Sequence, residues 1–169
     1  MNRVFLLAGT AAGVMVMAAC GNSTGSTSSS AAAQPTSAPA SSSSSTAPAS
    51  VGVGSSNKLG QFVVDGRGFS LYLFEADTTS KSTCSGQCAA NWPPLLTSGA
   101  PMAGTGVMQS LLGTTQRDDG TTQVTYNGHP LYFFVSDTKP GDTAGEGLMA
   151  FGAGWDAVSP AGQKIEGGS

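Results

Sequence analysis

The hydrophobic pattern divides the chain into three stretches. Val4 to Met17 runs for 14 residues without a charge, VFLLAGTAAGVMVM, behind the single cation Arg3. That length is too short to span a hydrocarbon core as a helix, and the order of charge then apolar run is that of a secretory signal. From Gly21 to Ser50 the periodicity vanishes, and 26 of 30 residues are Ser, Thr, Ala or Pro. Nothing there can be buried to offset the ordering entropy, so the segment reads as a disordered tether, taken here as far as Asn57. Beyond Lys58 a period of two appears. Leu71 and Leu73 alternate with Tyr72 and Phe74, and Leu131 and Phe133 alternate with Tyr132 and Phe134. Such alternation predicts strands covered on both faces.

Turn chemistry places the remaining elements. Asp119-Gly120 and Asn127-Gly128 flank Thr121–Tyr126 and suit two tight hairpin turns, because their residues tolerate positive φ. The expected meander is Leu111–Arg117, Thr121–Tyr126 and Pro130–Val135. Phe62–Asp65 and Phe69–Glu75, around Gly66-Arg67-Gly68, predict a similar hairpin. One short helix is expected from Ser85 to Asn91, stopped by Trp92-Pro93-Pro94. The folded part is therefore all-β.

It is also duplicated. Leu71, Tyr72, Phe74, Asp77 and Thr78 recur as Leu131, Tyr132, Phe134, Asp137 and Thr138 at a constant offset of 60. Trp92 and Trp155 follow the two tyrosines by 20 and 23 residues. Such self-similarity marks a repeat. The organisation read from the chain is a signal peptide over 1–19, a lipidated Cys and tether over 20–57, and a two-repeat β domain over 58–169. The first repeat covers about 58–110 and the second about 111–169.

Met17-Ala18-Ala19-Cys20-Gly21 resembles the bacterial lipobox, with Met17 where Leu is usual. The resemblance implies acylation of Cys20, so that the chain is anchored in the cell membrane on its extracytoplasmic face. Acyl chains contribute about 0.8 kcal/mol per buried CH₂, and more than one chain makes such an anchor stable. The tether would reach roughly 30–35 Å by random-coil scaling.

Composition narrows the function. The chain of 169 residues has 7 basic and 10 acidic side chains, and none of them lies between Arg3 and Lys58. An acidic chain this poor in cations has no footprint for a phosphate backbone, which excludes nucleic acid as an expected partner. A single His and no dense carboxylate cluster leave no acid–base or nucleophilic constellation, so no enzyme is expected. No cofactor is expected either.

Three features remain as candidate chemistry. Tyr72, Phe74 and Asp77, with Tyr132, Phe134 and Asp137, are either aromatic core pairs with Asp capping turn amides, or an aromatic platform with a carboxylate for a ligand. Cys84 and Cys88, four apart on one helical turn, default to a disulfide in an exported protein. Their alternative is a copper or electron-transfer role with His129, which otherwise sits exposed beside its turn. Met102, Met108 and Met149 read as gap-fillers of a small core rather than soft metal ligands.

These residues together give a family resemblance. The chain resembles bacterial lipoproteins with a secreted repeat carrying a Tyr-x-aromatic-x-x-Asp motif, matched at Tyr72, Phe74, Asp77 and at Tyr132, Phe134, Asp137. Cys84-Ser85-Gly86-Gln87-Cys88 before Trp92-Pro93-Pro94-Leu95 fits the same pattern, as does Gln123 through Tyr132. The likeness spans Leu59 to Gly162. It implies an extracytoplasmic location and an unknown envelope partner or ligand. It implies no reaction.

Overall fold

The computed structural model describes residues 47–167. The signal peptide, Cys20 and most of the expected tether lie outside them. Nine strands follow in chain order: β1 Ser50–Ser56, β2 Gly60–Asp65, β3 Tyr72–Phe74, β4 Met102–Ala103, β5 Leu112–Gln116, β6 Thr122–Tyr126, β7 His129–Pro130, β8 Leu148–Ala150 and β9 Ala153–Ala157. Among the described residues one helix, α1, covers Gln87–Asn91 between β3 and β4, and a 3₁₀ turn covers Gln109–Leu111. The strands form three three-stranded sheets, ordered β2-β1-β4, β3-β9-β8 and β5-β6-β7. The domain is all-β, as its alternation and turns require.

The expected tether ends too late. Ser50–Ser56 is not linker but β1, paired antiparallel with β2 from Val51↔Asp65 to Ser56↔Gly60. It continues the stalk's run of serines without a charge, yet Val51 is fully buried in the core. The two alternating valines, Val51 and Val53, carry the strand signal that a compositional average conceals. The folded region thus begins near Ser50 rather than Lys58.

The first expected hairpin is only partly formed. Around its turn the Asp65 N–H donates to Phe69 O (2.9 Å) and the Leu71 N–H to Val63 O (3.0 Å). Past that point β3 leaves β2 and pairs with β9 in the second repeat, in the register Tyr72↔Ala157, Leu73↔Asp156, Phe74↔Trp155. The second repeat does the same in reverse. Its expected strand Pro130–Val135 keeps ladder pairing with β6 only at His129–Pro130. Beyond it Phe133 N–H donates to Pro93 O (2.8 Å) and Val135 N–H to Asn91 O (3.1 Å), while Leu95 N–H donates to Leu131 O (2.9 Å). Each tyrosine segment therefore lies against the tryptophan segment of the other repeat.

An approximate two-fold relation runs between the tyrosines. Tyr72 and Tyr132 exchange both backbone hydrogen bonds, each at 2.9 Å. Outside them the same relation links Val63 N–H to Val158 O (2.7 Å) and Val124 N–H to Leu95 O (2.8 Å). The repeats interlock; they do not stand side by side.

The alternation along β3 and its counterpart sorts side chains into two cores. Tyr72, Phe74, Tyr132, Trp92 and Trp155 share one with Phe62, Cys84 and Cys88. Leu71, Leu73 and Leu131 share the other with Val51, Val63, Leu95, Val124, Tyr126 and Val158. Helix α1 lies within the expected Ser85–Asn91 and has no side-chain cap, starting behind Gly86 at φ 55. Trp92 N–H donating to Cys88 O closes it at 2.8 Å, and the two prolines end it.

Interlocking makes neither repeat a folding unit. Residues 47–110 and 111–169 expressed separately should lack cooperative unfolding, whereas the joined chain melts in one transition. Trp155→Ala should destabilise that transition by about 3–5 kcal/mol. Circular dichroism melts of the halves and the whole check this, and a sharp melt from either half alone would contradict it.

Candidate functional site

The repeated motif builds the centre of the molecule. Because Tyr72 and Phe74 are two apart on a strand, both rings enter the same core. They do not pair with each other. Tyr72 meets Trp92 edge-on, with centroids 5.5 Å apart at 80°, and Phe74 stacks on Trp155 at 4.2 Å and 13°. The second repeat mirrors this, with Tyr132 edge-on to Trp155 at 5.2 Å and Phe134 stacked on Trp92 at 4.3 Å. The two indoles stack on each other at 3.9 Å and 7°. The result is a four-ring column, Phe74–Trp155–Trp92–Phe134, alternating between repeats. Such aromatic pairs add about 0.5–1.5 kcal/mol each beyond their buried area.

Of the two readings open for the aspartates, turn cap or ligand carboxylate, the hydrogen bonds observed are those of a cap. Asp77 Oδ1 accepts from the Thr83 N–H (2.7 Å) and hydroxyl (2.6 Å), and Asp137 Oδ1 accepts from the Ala144 N–H (2.9 Å). Their second oxygens cross over. The Tyr72 hydroxyl donates to Asp137 Oδ2 and the Tyr132 hydroxyl to Asp77 Oδ2, both at 2.6 Å. The crossing is invisible in the sequence, since a repeated motif does not say which copy supplies its partner. Burial pushes both phenols well above the usual tyrosine range, and the neighbouring carboxylates add to the shift. Burial also pushes the Asp137 carboxyl up, against the opposing pull of the Tyr72 hydroxyl and the Ala144 N–H.

A buried arginine completes the first repeat's loop, and sequence reading missed it. Arg117 donates through Nη1 to Ser82 Oγ (2.8 Å) and Gln123 Oε1 (2.6 Å), and through Nη2 to Cys84 O (2.7 Å). Ser82 Oγ in turn lies 2.7 Å from the Tyr132 hydroxyl. A chain of hydrogen bonds thus runs from Arg117 through Ser82 and Tyr132 to Asp77. The one available signal was position: a lone cation closing a strand immediately before Asp118-Asp119-Gly120. That corner is exposed, and Asp119 Oδ2 approaches Arg117 Nε only to 3.6 Å.

Cys84 and Cys88 form the expected disulfide, with Cα atoms 5.2 Å apart, buried against the aromatic column. His129 is half-buried instead of exposed. It lines an open cavity of about 310 Å³ with Leu73, Phe74, Glu75, Asp77 and Lys164 among its walls. The three proposed copper ligands do not assemble: among the described residues no group of three or more His, Cys, Asp or Glu could hold a metal. The methionines are not core gap-fillers either. Met102, Met108 and Met149 are all exposed. Each sits at an edge strand or turn, where its flexible side chain has no cavity to fill.

Two carboxylates each leave an oxygen without a partner, although Glu146 Oε2 accepts from the Ala157 N–H at 2.6 Å. Glu146 Oε1 and Asp156 Oδ2 are buried without a hydrogen-bond partner. Burial raises both above the usual carboxyl range, and each is pushed further by an acidic neighbour. Glu75 nearby is held low by its Lys164 partner at 2.9 Å.

The comparison with protein families meets this geometry directly. A family described as a secreted repeat of unknown function matches residues 55–96 and 113–159. The chain belongs to that secreted-repeat family. No curated protein and no solved structure matches the chain. Each matched segment holds one motif tyrosine, one motif aspartate and one tryptophan. One family unit therefore contains a tyrosine segment and the tryptophan segment that the other unit's tyrosine requires.

The crossing is measurable. In double-mutant cycles, Tyr72→Phe with Asp137→Ala should couple by about 1.5–3 kcal/mol, and Tyr132→Phe with Asp77→Ala likewise. Tyr72 with Asp77, in the same repeat, should couple near zero; the reverse ranking would refute the crossed geometry. A second test concerns Asp156, whose folded carboxyl titrates above its unfolded one. The native state then binds more protons, so the buried charge costs stability at neutral pH and the cost disappears as pH falls. Asp156→Asn should raise the melting temperature at pH 7, with the gain fading towards and below about pH 4, the ordinary Asp range. A gain independent of pH would contradict this.

Proposed function

We propose that this secreted-repeat protein is a lipid-anchored extracytoplasmic module without catalytic chemistry, which binds or organises a component of the cell envelope. The observation carrying this reading is the internal use of the motif. Both phenols and both aspartates satisfy one another inside the fold, and both tyrosines are completely buried. Groups so placed stabilise a scaffold, with their hydrogen bonds already made inside it. Cys20 in its lipobox-like setting supports the anchor, and among the described residues no helix is long and apolar enough to cross a membrane. A role in copper handling or electron transfer finds less support, because Cys84 and Cys88 are bonded to each other and His129 stands apart from them.

Metabolic labelling with a fatty-acid analogue should mark the wild-type chain and fail on Cys20→Ala. Equal labelling of both would refute the anchor. Mass spectrometry of the unreduced protein after exposure to copper should find the Cys84–Cys88 bridge and no retained metal. A reduced pair holding stoichiometric copper would replace this reading with the copper one.

A further inference from the structure

The hairpin of β8 and β9 ends in an apolar tip that its fold does not use. From Gly147 to Trp155 the sequence GLMAFGAGW has no charged residue. Met149 is 76% exposed, Phe151 49% and Leu148 38%. The two-residue turn is Phe151-Gly152, closing on the pair Ala150↔Ala153. Phe151 has φ 55 and Gly152 φ 92. Positive φ at both positions is the type I′ geometry, which Asn-Gly fits and a bulky aromatic does not. A strained backbone that holds a large apolar ring in water points to a use for that ring outside the domain.

The tip is held firmly. Ala150 O, next to the turn, accepts from Trp155 Nε1 at 3.1 Å, and Ala150 and Ala153 pack against the aromatic column. The hairpin thus projects Leu148, Met149 and Phe151 from a rigid base.

We propose that this tip inserts into the lipid bilayer that carries the Cys20 anchor, a step that rests on the lipid-anchor reading above. The chemistry fits a bilayer boundary: three apolar side chains, one of them aromatic, stand on a hairpin whose own residues carry no charge, with the Glu75–Lys164 ion pair behind it on the Gly154 side. Ala47 follows Cys20 by 27 residues, a span of at most about 100 Å however the chain runs, so the anchored domain stays beside the same bilayer. A second copy fits less well. β8 is an edge strand of only three residues, which offers a second copy a short ladder. Electrostatic attraction to anionic lipid is not the driving term, because the chain from Lys58 onward carries ten acidic and six basic residues. Binding to zwitterionic vesicles should therefore persist at high salt.

The test uses the full chain with Met149→Cys carrying an environment-sensitive dye, and a control dye at Asp118→Cys on the exposed β5–β6 corner. Both are made in a Cys20→Ser background, where the disulfide leaves one thiol to label. With excess phosphatidylcholine vesicles containing nitroxide lipid, the dye at 149 should shift to the blue and be quenched several-fold more than the dye at 118. Phe151→Asn in the otherwise unlabelled chain should lower vesicle co-sedimentation several-fold while raising the melting temperature, since Asn suits the turn. Equal quenching at the two positions, or co-sedimentation unchanged by Phe151→Asn, overturns the proposal. So does burial of the dye at 149 with rising protein concentration and no vesicles, which would assign the tip to a second copy. The vesicle arms do not depend on acylation, so failure of the anchor in fatty-acid labelling and failure of the tip are separate results.

Discussion

A phenol buried away from water must give its proton to an acceptor, and a buried carboxylate must receive donors; unsatisfied, each would cost several kcal/mol. In this domain Tyr72 and Tyr132 meet that requirement with Asp137 and Asp77, each reaching into the other repeat. The crossed pairs fix much of the architecture. They hold both loops after the tyrosine strands against the partner repeat, and those loops position the tryptophans. The tryptophans then stack on one another and receive the phenylalanines, so the aromatic column and the hydrogen bonds enforce the same arrangement.

Duplication explains why the arrangement is reciprocal, and divergence explains why it is not symmetric. In the first repeat the loop after Asp77 is braced by the Cys84–Cys88 disulfide and by Arg117, which arrives from the second repeat. In the second repeat the loop after Asp137 has neither. Instead Gly145 lies so close to Trp92 and Tyr72 that a Cβ there would come within 2.9 Å of both rings. Asp142 gathers the backbone amides of Thr138 and Lys139 at 3.0 and 3.1 Å. One copy fixes its loop by a covalent bond and a buried cation, the other by close packing and an Asp-centred turn. The second solution leaves Glu146 and Asp156 with unpaired oxygens, and the apolar hairpin emerges directly between these two residues.

The proposed role is placed by this division. The centre saturates its polar groups internally, so the proposed envelope role is assigned to surfaces that differ between the copies. The exposed Leu148, Met149 and Phe151 belong to one such surface. The counterpart segment in the first repeat is α1, with its disulfide, and it presents no comparable apolar turn.

The alternation of Leu with aromatics, the Asp-Gly and Asn-Gly turns and the offset of the repeat determined an all-β, duplicated domain, because these signals depend on neighbours in the chain. The disulfide was equally local, four residues apart on one turn. Tertiary structure alone decided the partners. A strand of period two specifies which side chains share a face and says nothing of which strand lies alongside, so β3 was free to choose β9 over β2. The same ambiguity hid the crossed tyrosines, since two identical motifs offer two ways to satisfy the same bonds. It also hid β1, whose Val51 and Val53 lie in a stalk-like run and become a strand only when β2 supplies the ladder. Arg117 became a buried brace because Ser82, Gln123 and Cys84 O converge on it, and convergence of segments distant in sequence is a property of the fold.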